Sequence, residues 1–118
     1  MMHLYGLKNC STCKKAINWL DGHAVEYVFT DYREVPLAAS DLVRYAQHLG
    51  GWEKLVNRAS PTWRKLDAAE QAAVSDEQWT SLIARNPTLV RRPLTVYADG
   101  SVSTGFNEAR FAKKLQGE

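Results

Sequence analysis

A chain of 118 residues sets an expectation of one compact domain, able to bury roughly two-thirds of its unfolded surface without a disulfide or metal staple. Apolar residues at 45% and charged residues at 24% exclude intrinsic disorder, and a net charge of +2 is too small for a dedicated nucleic-acid binder. No stretch reaches the length of a membrane span, and Lys8, Asn9, Cys10, Lys14 and Lys15 break any apolar leader core, so a soluble, cytoplasmic chain is expected.

Met2 to Gly6 reads as a short strand with Leu4 and Tyr5 as its bulky residues, followed by a loop, Leu7 to Asn9. Cys13, Ala16, Ile17 and Leu20 then recur at helical spacing, and Gly22 stops that helix. Val25, Tyr27 and Phe29 alternate as a second strand. A strand, helix and strand within thirty residues form a βαβ unit, which predicts a parallel pair.

The middle of the chain, from about residue 36 to 90, reads as helical. Ser40 is expected to cap a helix with the stripe Leu42, Tyr45, Ala46 and Leu49, closed by Gly50-Gly51. Trp52, Leu55 and Val56 suggest one further turn, and Ser60-Pro61 is a cap followed by proline at the first helical position. Ser75 with Gln78 is a capping box for a helix turning Trp79, Leu82 and Ile83 inward, with Pro87 just past its end. Leu94 to Ala98 reads as a strand, joined to Ser101–Thr104 by Asp99-Gly100 in a two-residue type I′ turn. Asn107 is placed to cap a last helix with Phe111 and Leu115 facing in.

The order β-α-β, helices, β-β-α predicts an α/β (α+β) chain with a four-stranded mixed sheet. This is the thioredoxin-like arrangement, as a single domain over residues 1–118 with a helical insertion between its halves.

Cys10 and Cys13 are spaced C-x-x-C at the first strand–helix junction. In a reducing compartment such a pair points to catalysis, redox sensing or metal binding rather than a structural bridge. His3, His23 and His48 have no zinc-motif spacing, so no metal site is expected. A cysteine at a helix N-terminus faces unpaired N–H groups and the positive end of the dipole, both of which favour the thiolate. Cys10, just before the helix, is therefore the expected nucleophile. Cys13 begins the inward stripe and has two readings: a resolving thiol for Cys10, or a small core residue.

Three windows, 1–20, 54–66 and 78–98, contain no Asp or Glu and hold ten of the fifteen cations: Lys8, Lys14, Lys15, Lys54, Arg58, Arg64, Lys65, Arg85, Arg91 and Arg92. Some of these are ordinary solvated helix faces. Arg91-Arg92-Pro93 is the more specific feature. A cis bond at Pro93 would aim the neighbouring backbone at the thiol end of the sheet, and a guanidinium beside a thiolate would lower its pKa.

The stretches LYGLKNCSTCKKAINWL at 4–20, TWRKLD at 62–67, RRPLTV at 91–96 and GFNEARF at 105–111 resemble the ArsC-like family of thioredoxin-fold proteins. That family includes glutaredoxin-dependent arsenate reductases, Spx regulators and YffB-like proteins. With GWEKLVNR at 51–58, the tryptophan-rich middle is most similar to the YffB-like branch. The resemblance implies Cys10 as catalytic cysteine with Cys13 as its partner, Arg92 before a cis-Pro93, and an oxyanion-site arginine at Arg58. Lys8, Thr12, Arg92 and Pro93 are the implied contacts for glutathione, a co-substrate rather than a bound cofactor. Arsenate reductases carry a further arginine after the last hairpin, where this sequence reads Ser103-Thr104-Gly105-Phe106. The expectation is a glutathione-dependent thiol reductase with weak or absent arsenate activity, acting as a monomer with glutaredoxin as a possible thiol partner. The alternatives are an arsenate reductase or an Spx-type regulator contacting RNA polymerase, since that branch shares the C-x-x-C and a segment like Gly105-Phe106-Asn107. No direct contact with nucleic acid or membrane is expected.

Overall fold

The computed structural model describes residues 1–115. Its elements run β1 (Met2–Gly6), α1 (Ser11–Gly22), β2 (Tyr27–Asp31), α2 (Ala39–Leu49), α3 (Trp52–Leu55), α4 (Pro61–Arg64), α5 (Ala68–Gln71) and α6 (Asp76–Arg85). A 3-10 turn, Pro87–Leu89, then leads to β3 (Leu94–Val96), β4 (Val102–Thr104) and α7 (Glu108–Leu115). They fall into two compact units, Met1–Asp31 with Arg92–Glu118, and Tyr32–Arg91.

The first unit contains a four-stranded sheet in the order β2-β1-β3-β4. β1 and β2 are parallel, with Met2 opposite Tyr27 and Gly6 opposite Asp31. β3 runs antiparallel to both β1 and β4, completing the mixed, thioredoxin-like arrangement. Side chains alternate along β1, so Met2 and Leu4 point to one face. There they form a core with Ala16 and Leu20 of α1, Tyr97, and Phe111 of α7. Trp19, Tyr97 and Phe106 meet the Phe111 ring in edge-to-face pairs, at centroid distances of 5.8, 6.2 and 5.2 Å. His3 and Tyr5, from the opposite face of β1, stack on each other, and His3 Nε2 lies 2.7 Å from Thr30 Oγ1.

The connection between β3 and β4 departs from the expected type I′ turn. Gly100 has φ +88°, but Asp99 is not among the described residues with positive φ, and type I′ needs both. The N–H of Gly100 donates to Tyr97 O, and that of Tyr97 donates to Ser101 O, both at 2.9 Å. The loop therefore has three residues, Ala98-Asp99-Gly100, with glycine taking the left-handed position after the turn. Two further expectations at helix ends also fail. Ser40 lies inside the first turn of α2, whose N-cap is Ala38 with no side-chain cap. Leu115 is 41% exposed, because only the Phe111 turn of α7 reaches the core.

The second unit is helical. In α2, Leu42, Tyr45 and Ala46 are buried, and Gly50 ends the helix at φ +96°. Tyr32 is buried and donates its hydroxyl to Val90 O at 2.8 Å. Trp52, Trp79 and Trp63 stack in series, with centroids 6.0 and 5.9 Å apart. α4 has the expected Ser60 cap and Pro61 start. α5 has a capping box, Asp67 with Glu70, that the sequence reading overlooked. α6 has the expected box: Ser75 Oγ accepts from Gln78 N at 3.1 Å, and Gln78 Oε1 accepts from Ser75 N at 3.0 Å. Ser75→Ala removes one half of it and should cost about 1 kcal/mol, read as a thermal midpoint lower by a few degrees. Among the described residues, no helix is long and apolar enough to cross a membrane.

Candidate functional site

The thiol site is built where β1 ends and α1 begins. The N–H of Cys10 donates to Leu7 O at 3.3 Å, which closes the intervening loop, and Lys14 N donates to Cys10 O at 3.0 Å as the first bond of the helix. Cys10 is thus the N-cap of α1, extended at φ −105° and ψ 123° and half-buried. Both cysteines are free thiols.

Two cysteines on one helix end have opposite acid strengths. Partial burial by itself would push the Cys10 thiol up. The backbone N–H and thiol of Cys13, the Arg92 guanidinium and the Thr12 N–H oppose this as donors to the sulfur, and together hold it below the ordinary cysteine value. The two N–H groups act outside the geometry of a regular side-chain cap. Cys13 is 1% exposed, and burial, reinforced by the adjacent Cys10 sulfur, pushes its thiol up to about 12. A buried, protonated thiol therefore lies against a half-exposed one that favours the anion. Cys13 is thus a buried core residue that also donates a hydrogen bond to the Cys10 sulfur.

Gly6 makes this packing possible, and the sequence reading assigned it no role. A Cβ built on it would lie 2.5 Å from Cys13 Sγ and 3.5 Å from Phe29 Cε1. The last residue of β1 must therefore lack a side chain for the Cys13 thiol to fit beneath Cys10.

Arg92 and Pro93 enter from the start of β3. The Arg92–Pro93 bond is cis, as expected, Pro93 is buried and Arg92 is half-buried. Of the other expected site residues, Thr12 lies in the first turn of α1 and Lys8 in the preceding loop, where its N–H donates to Asp31 Oδ2 at 3.1 Å. Arg58 belongs to the second unit, where its guanidinium lies 5.6 Å from the Trp63 ring centroid. Other cations of that unit bond locally: Arg64 donates to Ala59 O and Arg85 to Ser81 Oγ, both at 2.9 Å, and Arg85 also lies 3.8 Å from the Glu70 carboxylate of α5. Among the described residues, no three His, Cys, Asp or Glu side chains gather as a metal set.

Arg92→Ala should move Cys10 reactivity to higher pH and slow its alkylation at pH 7 by about tenfold, the scale of one hydrogen bond to a charged group. Arg92→Lys should recover part of that loss, since lysine keeps the charge without the planar fork. Iodoacetamide rates against pH would check both.

The ArsC family model matches residues 5–114. An uncharacterized protein of Haemophilus influenzae is 40% identical over 111 residues, 94% of this chain and 96% of that one. The global transcriptional regulator Spx of Streptococcus pyogenes is 32% identical over 110 residues, 92% of this chain and 80% of the regulator. The solved structure of a YffB protein superposes with a TM-score of 0.89 at 36% identity, covering 98% of this chain and 99% of that one.

Proposed function

The chain belongs to the ArsC family, and on that premise we propose that it is a cytoplasmic, glutathione-dependent thiol reductase working through the Cys10 thiolate. One observation carries this reading: a half-exposed cysteine at a helix N-terminus, hydrogen-bonded by Arg92 and by a buried cysteine three residues on, is held towards its nucleophilic form. The thiolate attacks one sulfur of a disulfide, forms a mixed disulfide with Cys10 and expels the other half as a thiolate. A glutathione thiolate attacks the mixed disulfide at the Cys10 sulfur and releases the second half, leaving Cys10 joined to glutathione. A second glutathione, or a glutaredoxin thiol, attacks the glutathione sulfur and restores Cys10. One disulfide gains two electrons while two thiols become a disulfide. Lys8, Thr12, Arg92 and Pro93 are the proposed glutathione contacts.

Turnover of hydroxyethyl disulfide with glutathione, coupled to NADPH through glutathione reductase, tests this reading. Turnover that disappears in Cys10→Ser supports it; no turnover, with no glutathione adduct on Cys10 by mass spectrometry, overturns it. The same assay with arsenate and glutaredoxin should give little or nothing. Stabilising an oxyanion beside a thiolate takes several placed donors, and losing one typically costs about 10²–10³ in rate. After β4 this chain has Gly105, at φ +77°, and the following Arg110 donates to the main-chain carbonyls of Thr104 and Gly105.

The likeness to Spx favours a second reading, in which the oxidation state of Cys10 and Cys13 alters a surface that contacts RNA polymerase. Retention of the polymerase on the immobilised chain, changing with oxidation, is its test.

A further inference from the structure

Arg110 is the third residue of α7, directly after the Asn107 cap, whose side-chain oxygen accepts from Arg110 N at 2.9 Å. A capping box would place Glu or Gln there, and a cation at that position faces the positive end of the helix dipole. A residue that breaks the local rule is worth following to its contacts. Its Nη2 donates to Thr104 O at 3.0 Å and to Gly105 O at 3.4 Å, and its Nε is buried. Thr104 pairs with Leu94 across β3 and β4, and the N–H of Gly105 donates to Pro93 O at 3.0 Å. Pro93 follows Arg92, the residue whose guanidinium donates to the Cys10 sulfur.

We propose that Arg110 is a positioning residue for the thiol site, its guanidinium fixing the Thr104–Gly105 carbonyls so that this segment holds the Arg92–Pro93 backbone beside Cys10. The inference rests on the thiolate reading of Cys10 and extends it to a residue that touches neither the sulfur nor a substrate. A flexible carbonyl pair at 104–105 would let the Pro93 carbonyl, and Arg92 with it, sample positions from which the Cys10 donor is lost.

The test compares wild type, Arg110→Ala, Arg110→Gln and Asn107→Ala by Cys10 alkylation rate against pH and by thermal unfolding. Arg110→Ala should shift the alkylation profile to higher pH and slow the reaction at pH 7 roughly three- to tenfold, with Arg110→Gln between it and wild type. Asn107→Ala removes the α7 cap but leaves Arg110, and should lower the midpoint without moving the profile. If Arg110→Ala does not fold, Arg110→Gln against Asn107→Ala carries the comparison. Coincident profiles for wild type and the Arg110 variants overturn the proposal, as does an equal shift in Asn107→Ala, which would trace the effect to loosening of α7. A wild-type profile like that of free cysteine overturns the thiolate reading itself, a different result from a shifted wild type that the Arg110 variants fail to change.

Discussion

Cys10→Ser is expected to remove nearly all thiol reactivity of the folded chain at pH 7, by at least about a hundredfold in iodoacetamide rate. Cys13 cannot replace it. Burial, the largest cause that pushes the Cys13 thiol up in wild type, persists when the Cys10 sulfur is removed, and the side chain is 1% exposed. Cys13→Ser should leave most of the first alkylation step, because the backbone N–H at position 13, Arg92 and the Thr12 N–H still face the Cys10 sulfur. It should move the Cys10 profile little, since the serine hydroxyl can donate where the thiol did. Labelling followed by peptide mass spectrometry reads both variants. Equal labelling of the two positions in wild type would contradict the division of roles.

Gly6→Ala is the second change with a large expected effect. The new methyl would lie 2.5 Å from Cys13 Sγ, closer than real contacts allow, so the buried sulfur, the end of β1 or the start of α1 must move. Overpacking of this kind costs about 1–3 kcal/mol, a midpoint lower by roughly 5–15 °C. The cause is tested by adding Cys13→Ala, which removes the clashing sulfur. The double variant should be clearly more stable than the sum of the two single changes predicts, a coupling expected only between residues in contact. Simple additivity would place the strain elsewhere.

The parts of this fold that were legible beforehand are those where local chemistry and tertiary packing agree. Cys13, Ala16 and Leu20 have helical spacing because they face the core, and all three are buried. The box of Ser75 and Gln78 satisfies donors that any helix start leaves open, so it marks α6 whatever packs on it. Asp67 and Glu70 carry the same signal for α5, four residues long, which has no apolar stripe to draw attention to it. Ser40 has the residue type of a cap, but α2 starts earlier, at an Ala38 N-cap whose side chain can make no capping bond and so leaves no mark in the sequence. Asp99-Gly100 suits two hairpin geometries, and the pairing of Val96 with Val102 selects the three-residue loop.

The thiol site divides in the same way. Cys10 at the helix start and Arg92 before a cis-proline could be read from motif and helix electrostatics. Gly6 and Arg110 could not, because their roles depend on contacts made only in three dimensions: a strand end against a buried thiol, and a guanidinium against two carbonyls. A weak signal for Arg110 was present in its cationic side chain at the third position of a capped helix.

The pH dependence of Cys10 alkylation in the wild-type chain tests the central claim most directly. A thiol whose folded value is depressed gains thiolate at lower pH than free cysteine, so its rate should rise and level off before that of a small reference thiol begins to plateau. The rise should be absent in Cys10→Ser and displaced to higher pH in Arg92→Ala. A Cys10 profile at or above the reference thiol would mean that burial outweighs the donors at the start of α1, and would contradict the account.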